Sequence, residues 1–90
     1  MEITDVRVRL VDDAKLRAVA AVTFDNLFVV RDIKVVARSS DTDLFMAMPS
    51  RKMPDGEYQD IAHAINPAFR AKLQIAVMDK YHAALGMEGD

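Results

Sequence analysis

The stretch Asn66-Pro67-Ala68-Phe69-Arg70-Ala71-Lys72-Leu73-Gln74-Ile75-Ala76-Val77-Met78-Asp79-Lys80-Tyr81-His82-Ala83-Ala84-Leu85-Gly86 is the one part of this 90-residue chain whose apolar residues recur at helical spacing. Phe69, Leu73, Ala76, Val77, Ala84 and Leu85 form a stripe that needs a surface to cover. Asn66 can cap the free N–H groups of the first turn, and Pro67 occupies a position where its missing donor costs nothing. Gly86 predicts the stop, leaving residues 87–90 as a frayed tail behind a single domain at 1–86.

Upstream the periodicity is that of strands. Residues 2–11 alternate Val6, Val8 and Leu10 with Asp5, Arg7 and Arg9, as a half-buried strand requires. Asp12, Asp13 and Ala14 interrupt the pattern. Leu16, Ala18, Ala20, Val22 and Phe24 then resume it as a hairpin partner. Asp25-Asn26 is a turn pair tolerant of unusual backbone angles, and residues 27–37 return as a long third strand. Its apolar phase moves from the even positions Phe28 and Val30 to the odd positions Ile33, Val35 and Ala37, which predicts a bulge or a crossing near Arg31-Asp32.

Residues 38–43 read as a polar loop. Leu44 to Met48 form an unbroken apolar run, expected at the sheet centre or at an interface, with Met46 and Met48 filling core. Residues 49–56 (PSRKMPDG) hold two prolines and a Pro-Asp-Gly turn signal and read as a loop, with a weak last strand somewhere in 58–65. The expected fold class is therefore α+β, an antiparallel sheet of four to five strands followed by one C-terminal helix packed on it.

Composition narrows the function classes. A chain of this length buries about 60–65% of its unfolded surface, so its core is thin and self-association is the expected supplement. With no cysteine, thiol chemistry, thiolate metal sites and disulfides are excluded, which fits a reducing, cytoplasmic address. No apolar run approaches the ~18 residues of a membrane span, and the first five residues lack a basic leader region. A formal charge of −2 argues against a surface that is basic all round, so any contact with nucleic acid must be a local patch.

No reactive constellation emerges. Asp60 and His63 are spaced to orient a general base, but the only nearby hydroxyl, Ser50, lacks the glycine-flanked turn that presents a nucleophilic serine. A structural hydrogen bond at the junction with the helix is the simpler expectation. His63, His82 and a carboxylate show no metal-ligand spacing, and three glycines, at 56, 86 and 89, make no phosphate loop. The chain is thus not expected to be an enzyme or to hold a metal or cofactor. The basic residues are more informative. Arg70 and Lys72 lie near the helix N-terminus, where the dipole disfavours cations, and the pair Arg51-Lys52 precedes it in a loop; together the four could receive a phosphate. The alternative is a solvated face, with Asp55 and Glu57 neutralising the loop.

Thr4-Asp5-Val6-Arg7, Phe28 through Val35 (FVVRDIKV), Ala47 through Lys52 (AMPSRK) and Asp55-Gly56 through Asp60-Ile61-Ala62-His63 together resemble, in order, the bacterial stage V sporulation protein G (SpoVG) family of septation regulators. The resemblance implies a small sheet-plus-helix protein, homodimeric through its sheet, that binds DNA or RNA and regulates gene expression, septation and, in spore formers, sporulation. It implies no enzyme and no cofactor. The family's basic contact positions match Arg51, Lys52, Arg70 and Lys72 here. Ala64 stands where the family commonly has proline, and 39–43 lack its usual glycine-bearing turn. A second class of function, a protein-interaction module of the division machinery, would use a sheet edge or the Met-rich surface instead.

Overall fold

The computed structural model describes residues 1–40 and 42–88. Three long strands, β1 (Ile3–Leu10), β2 (Leu16–Phe24) and β3 (Phe28–Ala37), and a short β4 (Leu44–Ala47) form an antiparallel sheet in the order β1-β2-β3-β4. A second, two-stranded antiparallel ribbon consists of β5 (Ser50–Lys52) and β6 (Tyr58–Asp60). One helix, α1 (Pro67–Glu88), lies across the four-stranded sheet, mainly over β1. The α+β class and the single C-terminal helix match expectation.

Two-residue alternation decides which side chains meet the helix. On β2, Ala18, Ala20, Val22 and Phe24 are buried while their neighbours stay half-exposed, and on β3 Ile33, Val35 and Ala37 are buried. Small alanines at 18 and 20 let α1 approach closely; the bulk comes from Leu73, Val77 and Tyr81 on the helix and from Met46 and Met48. Phe69 meets Phe24 with ring centroids 5.9 Å apart, and Tyr81 stands with Leu10 and Val11. The helix therefore starts beside the start of β1 and runs in the same direction.

The phase change in β3 has a clear cause. Ala20 pairs with Ile33 but Val22 pairs with Val30, so Arg31 and Asp32 together oppose the single residue Ala21. Asp32 takes the left-handed conformation at φ 61°. This bulge returns Phe28 and Val30 to the helix side, where both line one groove with Phe24, Met48 and Phe69. At the preceding turn Asp25 and Asn26 have φ 53° and 55°, and the Leu27 N–H donates to Phe24 O at 2.9 Å.

Four expectations are corrected. Ser50, Arg51 and Lys52 belong to a strand, not a loop; three polar residues carry no apolar alternation, and only backbone pairing with β6 reveals them. The apolar segment at β4 is an edge strand of the sheet, not its centre. Leu85 is 43% exposed and Tyr81 takes its place in the core, continuing the row Leu73, Val77, Tyr81 at i+4. Gly86 does not stop the helix, which runs on to Glu88; a glycine costs about 1 kcal/mol in a helix, a small penalty so close to the end. Of the proposed tail, 89–90 lie outside the described residues, as does Asp41 in the polar loop.

Candidate nucleic-acid interface

The ribbon that carries Arg51 and Lys52 is built by its turn. Pro54 presets the backbone, Gly56 N–H donates to Met53 O at 2.9 Å, and Gly56 itself adopts φ 90°, a conformation that glycine enters without a steric penalty. Met53 N–H then closes the strands on Glu57 O at 2.7 Å, and the Asp55 carboxylate accepts the Glu57 N–H at 3.0 Å. At the other end Ile61 N–H donates to Pro49 O at 2.7 Å, rooting the ribbon between β4 and the segment that enters the helix. Its two strands pack chiefly against each other.

Register places Ser50 opposite Asp60, Arg51 opposite Gln59 and Lys52 opposite Tyr58. Cross-strand partners share a face, and successive residues take opposite faces. One face thus presents Lys52 and Tyr58 together, with Ser50 and Asp60 beyond them, and the other presents Arg51 and Gln59. Every one of these side chains is exposed, Tyr58 at 71%. An exposed aromatic beside a cation is the combination that single-stranded nucleic acid uses, the base stacking on the ring and the phosphate meeting the charge.

The second pair stands on the first turns of α1. Asn66 caps the helix: its Oδ1 accepts the Phe69 N–H at 2.8 Å and its backbone carbonyl accepts the Arg70 N–H at 2.9 Å. No acidic residue occupies the first turn. Arg70 is half-buried and Lys72 exposed. At about 100° per residue the two leave the helix some 200° apart. Arg51 and Lys52 likewise leave their strand on opposite sides, so the four cations are spread over a surface that spans the ribbon, the six-residue connection 61–66 and the helix start.

Asp60 and His63 are not hydrogen-bonded to each other; Asp60 faces Ser50 across the ribbon, and His63 Nδ1 lies 3.4 Å from the Ala64 carbonyl oxygen. His63 precedes the helix and His82 lies in its fifth turn, about 22 Å further along the axis from Pro67, so the two cannot share an ion. Among the described residues no group of three or more His, Cys, Asp or Glu could hold a metal, and no helix is long and apolar enough to cross a membrane.

Two features escaped the sequence reading. Tyr58 joins the basic ribbon only once the pairing of β5 with β6 is known; the Pro-Asp-Gly turn was the available signal. Arg7, Arg9 and Arg31 gather around a shallow depression over Ala21 on the open sheet face, because the β3 bulge lifts Arg31 towards β1. Asp5, 3.0 Å from Arg7, and Asp32 offset part of that charge.

The fold and this surface define a small antiparallel sheet closed by one helix, with an exposed basic ribbon at its side and no assembled reactive site among the described residues. The SpoVG family pattern matches residues 1–83, and the chain belongs to that family. A SpoVG protein of Acetivibrio thermocellus, provisionally named for septation, is 60% identical over 84 residues, covering 92% of this chain and 87% of its own. Similarly named proteins of Thermoanaerobacter sp. and Clostridium beijerinckii are 56% and 51% identical over 89 residues, each alignment covering 98% of this chain and 95% and 96% of theirs.

Proposed function

We propose that this chain is a non-enzymatic, homodimeric regulator that binds DNA or RNA through Arg51, Lys52, Arg70 and Lys72 and acts in septation and, where the host forms spores, sporulation. The septation role follows the names of its relatives. The observation that carries nucleic-acid binding is the pairing of Lys52 with exposed Tyr58 on a ribbon that also bears Arg51, in a chain whose net charge is negative. Arginine contacts phosphate in a fork and lysine as a point charge, while the ring offers a stacking surface indifferent to base identity.

Dimerisation through the sheet is supported by an asymmetry of its edges. The outer strand β1 carries Asp5, Arg7 and Arg9, charges that discourage further pairing, whereas β4 reads Leu44-Phe45-Met46-Ala47 and carries none. A dimer presents the basic surface twice, so two modest footprints act together on one polyanion.

The test is a mobility shift over rising salt. Affinity falls steeply with salt, and reversing Arg51, Lys52, Arg70 and Lys72 to Glu abolishes the shift while circular dichroism stays native. A folded reversal variant that shifts as well as the parent refutes the assignment. One observation favours a protein partner instead: Phe24, Phe28, Met48, Ile65 and Phe69 line an apolar groove of about 370 Å³, with Ile65 itself 91% exposed. Salt-insensitive capture of a single protein, with no shift of nucleic acid, would select that reading.

A further inference from the structure

Helix α1 is apolar on two sides. Phe69, Leu73, Val77 and Tyr81 face the sheet. Ala71, Ile75, Met78, His82 and Leu85 follow one another at intervals of four, three, four and three residues, the spacing of a helix-to-helix seam. At 100° per residue this second row lies roughly 140° round the helix from the first. It is largely uncovered: Ile75 is 62% exposed, Ala71, His82 and Leu85 are also exposed, and Met78 alone is half-buried, its inner side packed against the core. Ala71, Gln74, Ile75, Met78, Asp79 and His82 line a shallow groove of about 390 Å³ along it.

We propose that this face is a self-complementary interface, filled by α1 of a second copy of the chain packed antiparallel to the first. The occupant and its direction follow from the charges. Lys72 and Asp79 flank the apolar row on one side, seven residues and about 10.5 Å apart along the axis, too far to pair within the helix. Neither has an ion-pair partner among the described residues.

Setting two such helices antiparallel about a two-fold axis level with Ala76 and Val77 brings Lys72 to the same flank as Asp79 of the second copy and within two residues, about 3 Å along the axis, a span the lysine side chain covers, and the symmetry makes the contact twice. The same register seats Ile75 against Met78 of the second copy and the small Ala71 against the bulky His82 of the second copy. A parallel pairing aligns like positions and leaves both charges without an opposite. The face is separate from the β4 edge, so the two surfaces together join sheet-paired dimers into tetramers.

Sedimentation equilibrium at micromolar concentration, without nucleic acid, tests this independently of the binding proposal. The parent chain is expected at twice the mass of a natively folded Ile75→Glu variant. Lys72→Asp and Asp79→Lys, each placing like charges face to face, raise the dissociation constant of this step about tenfold, and the double exchange Lys72→Asp/Asp79→Lys returns it to within about threefold of the parent. Equal masses for parent and folded Ile75→Glu overturn the interface. A double exchange no better than the single ones overturns the antiparallel register. Should Ile75→Glu not fold, the charge exchange decides alone, because both positions are exposed.

Discussion

The hydroxyl oxygen of Thr4 accepts the backbone N–H of Asn26 at 3.0 Å, tying the first strand to the turn between β2 and β3. Thr4 is free to do so because the β1–β2 register slips there, with Ile3 opposite Phe24 and Asp5 opposite Thr23. Its hydroxyl also donates to Thr23 O at 3.3 Å, and beside it the Asp25 N–H donates to Glu2 O at 2.8 Å while the Asp25 carboxylate accepts the Glu2 N–H at 2.8 Å. The turn needs this brace, since Asp25 and Asn26 both hold positive φ. Thr4→Val, close in shape but without the acceptor, is expected to lower unfolding stability by about 1 kcal/mol in urea, and Thr4→Ser by clearly less. Equal midpoints for parent and valine variant would show the contact to be idle.

Asp13 plays a similar part in the β1–β2 turn and carries a pH dependence. Its carboxylate accepts the Leu16 N–H at 2.9 Å and the Lys15 N–H at 3.2 Å, and these bonds, the Leu16 one first, hold its pKa below the usual aspartate range. A carboxyl group whose folded pKa is depressed contributes stability that is complete above its unfolded pKa and is lost as pH falls through the folded value. The contribution therefore begins to fall away below about pH 4. A carbon-detected titration is expected to place the Asp13 midpoint below the usual aspartate range. Asp13→Ala should narrow the stability gap between pH 6 and pH 3; an unchanged gap would deny the linkage.

The helix start depends on Asn66. Its side chain serves the Phe69 N–H at 2.8 Å in a turn that has no acidic residue to offset the dipole, while Pro67 cannot donate at all. Asn66→Ala should cost about 1 kcal/mol, whereas Asn66→Asp should retain the cap and add a favourable charge. Thermal unfolding of the two variants distinguishes them. If alanine and aspartate melt alike, the cap is not what starts α1. Asn66→Asp has a second readout, because an anion among Arg70 and Lys72 should weaken binding of a polyanion even as the helix gains stability.

Where the chemistry repeats along the chain, the residues announced their structure. Alternation in β1 and β2, the shift of phase in β3 and the capped start of α1 each rest on several positions that agree. The ribbon was hidden for the opposite reason. Ser50-Arg51-Lys52 and Tyr58-Gln59-Asp60 pack against no core, so no apolar pattern marks them, and what holds them is a Pro-Asp-Gly turn and backbone pairing. Leu85 and Tyr81 were exchanged because the helix is apolar on both sides, and periodicity alone does not say which row the sheet covers. The four cations were visible as residues, but their dispersal on opposite sides of a strand and of a helix needs the backbone.

Tyr58 and Lys52 should fail in different ways if the ribbon binds single strands. Removing the ring by Tyr58→Ala takes away stacking, worth about 1–3 kcal/mol per base, and leaves the number of phosphate contacts unaltered. Fluorescence anisotropy with a labelled oligonucleotide should then show affinity lower by roughly fivefold or more at every salt concentration, with an unchanged salt slope. Lys52→Gln should instead reduce the slope by about 0.7 for a single strand. Were both substitutions to alter only the slope, Tyr58 would be a bystander.

Asp32 is the residue on which the two faces of β3 turn. Val30 and Ile33 stand three apart yet share the helix side because Arg31 and Asp32 bulge opposite Ala21, and Asp32 absorbs the extra residue at φ 61°, a conformation costly for most residues with a Cβ. Glycine relieves that strain and a β-branched residue aggravates it. Asp32→Gly should therefore leave stability unchanged or raise it by up to about 1 kcal/mol, while Asp32→Val should lower it by about 1–2 kcal/mol. Deletion of Asp32 should leave Arg31 alone opposite Ala21 and restore plain alternation, with Phe28, Val30, Ile33, Val35 and Ala37 on one face, and so should be tolerated better than valine. Proteolysis and urea unfolding should place the valine variant below both the glycine and the deletion variants; a deletion variant less stable than the valine variant would mean that the bulge does more than absorb one extra residue.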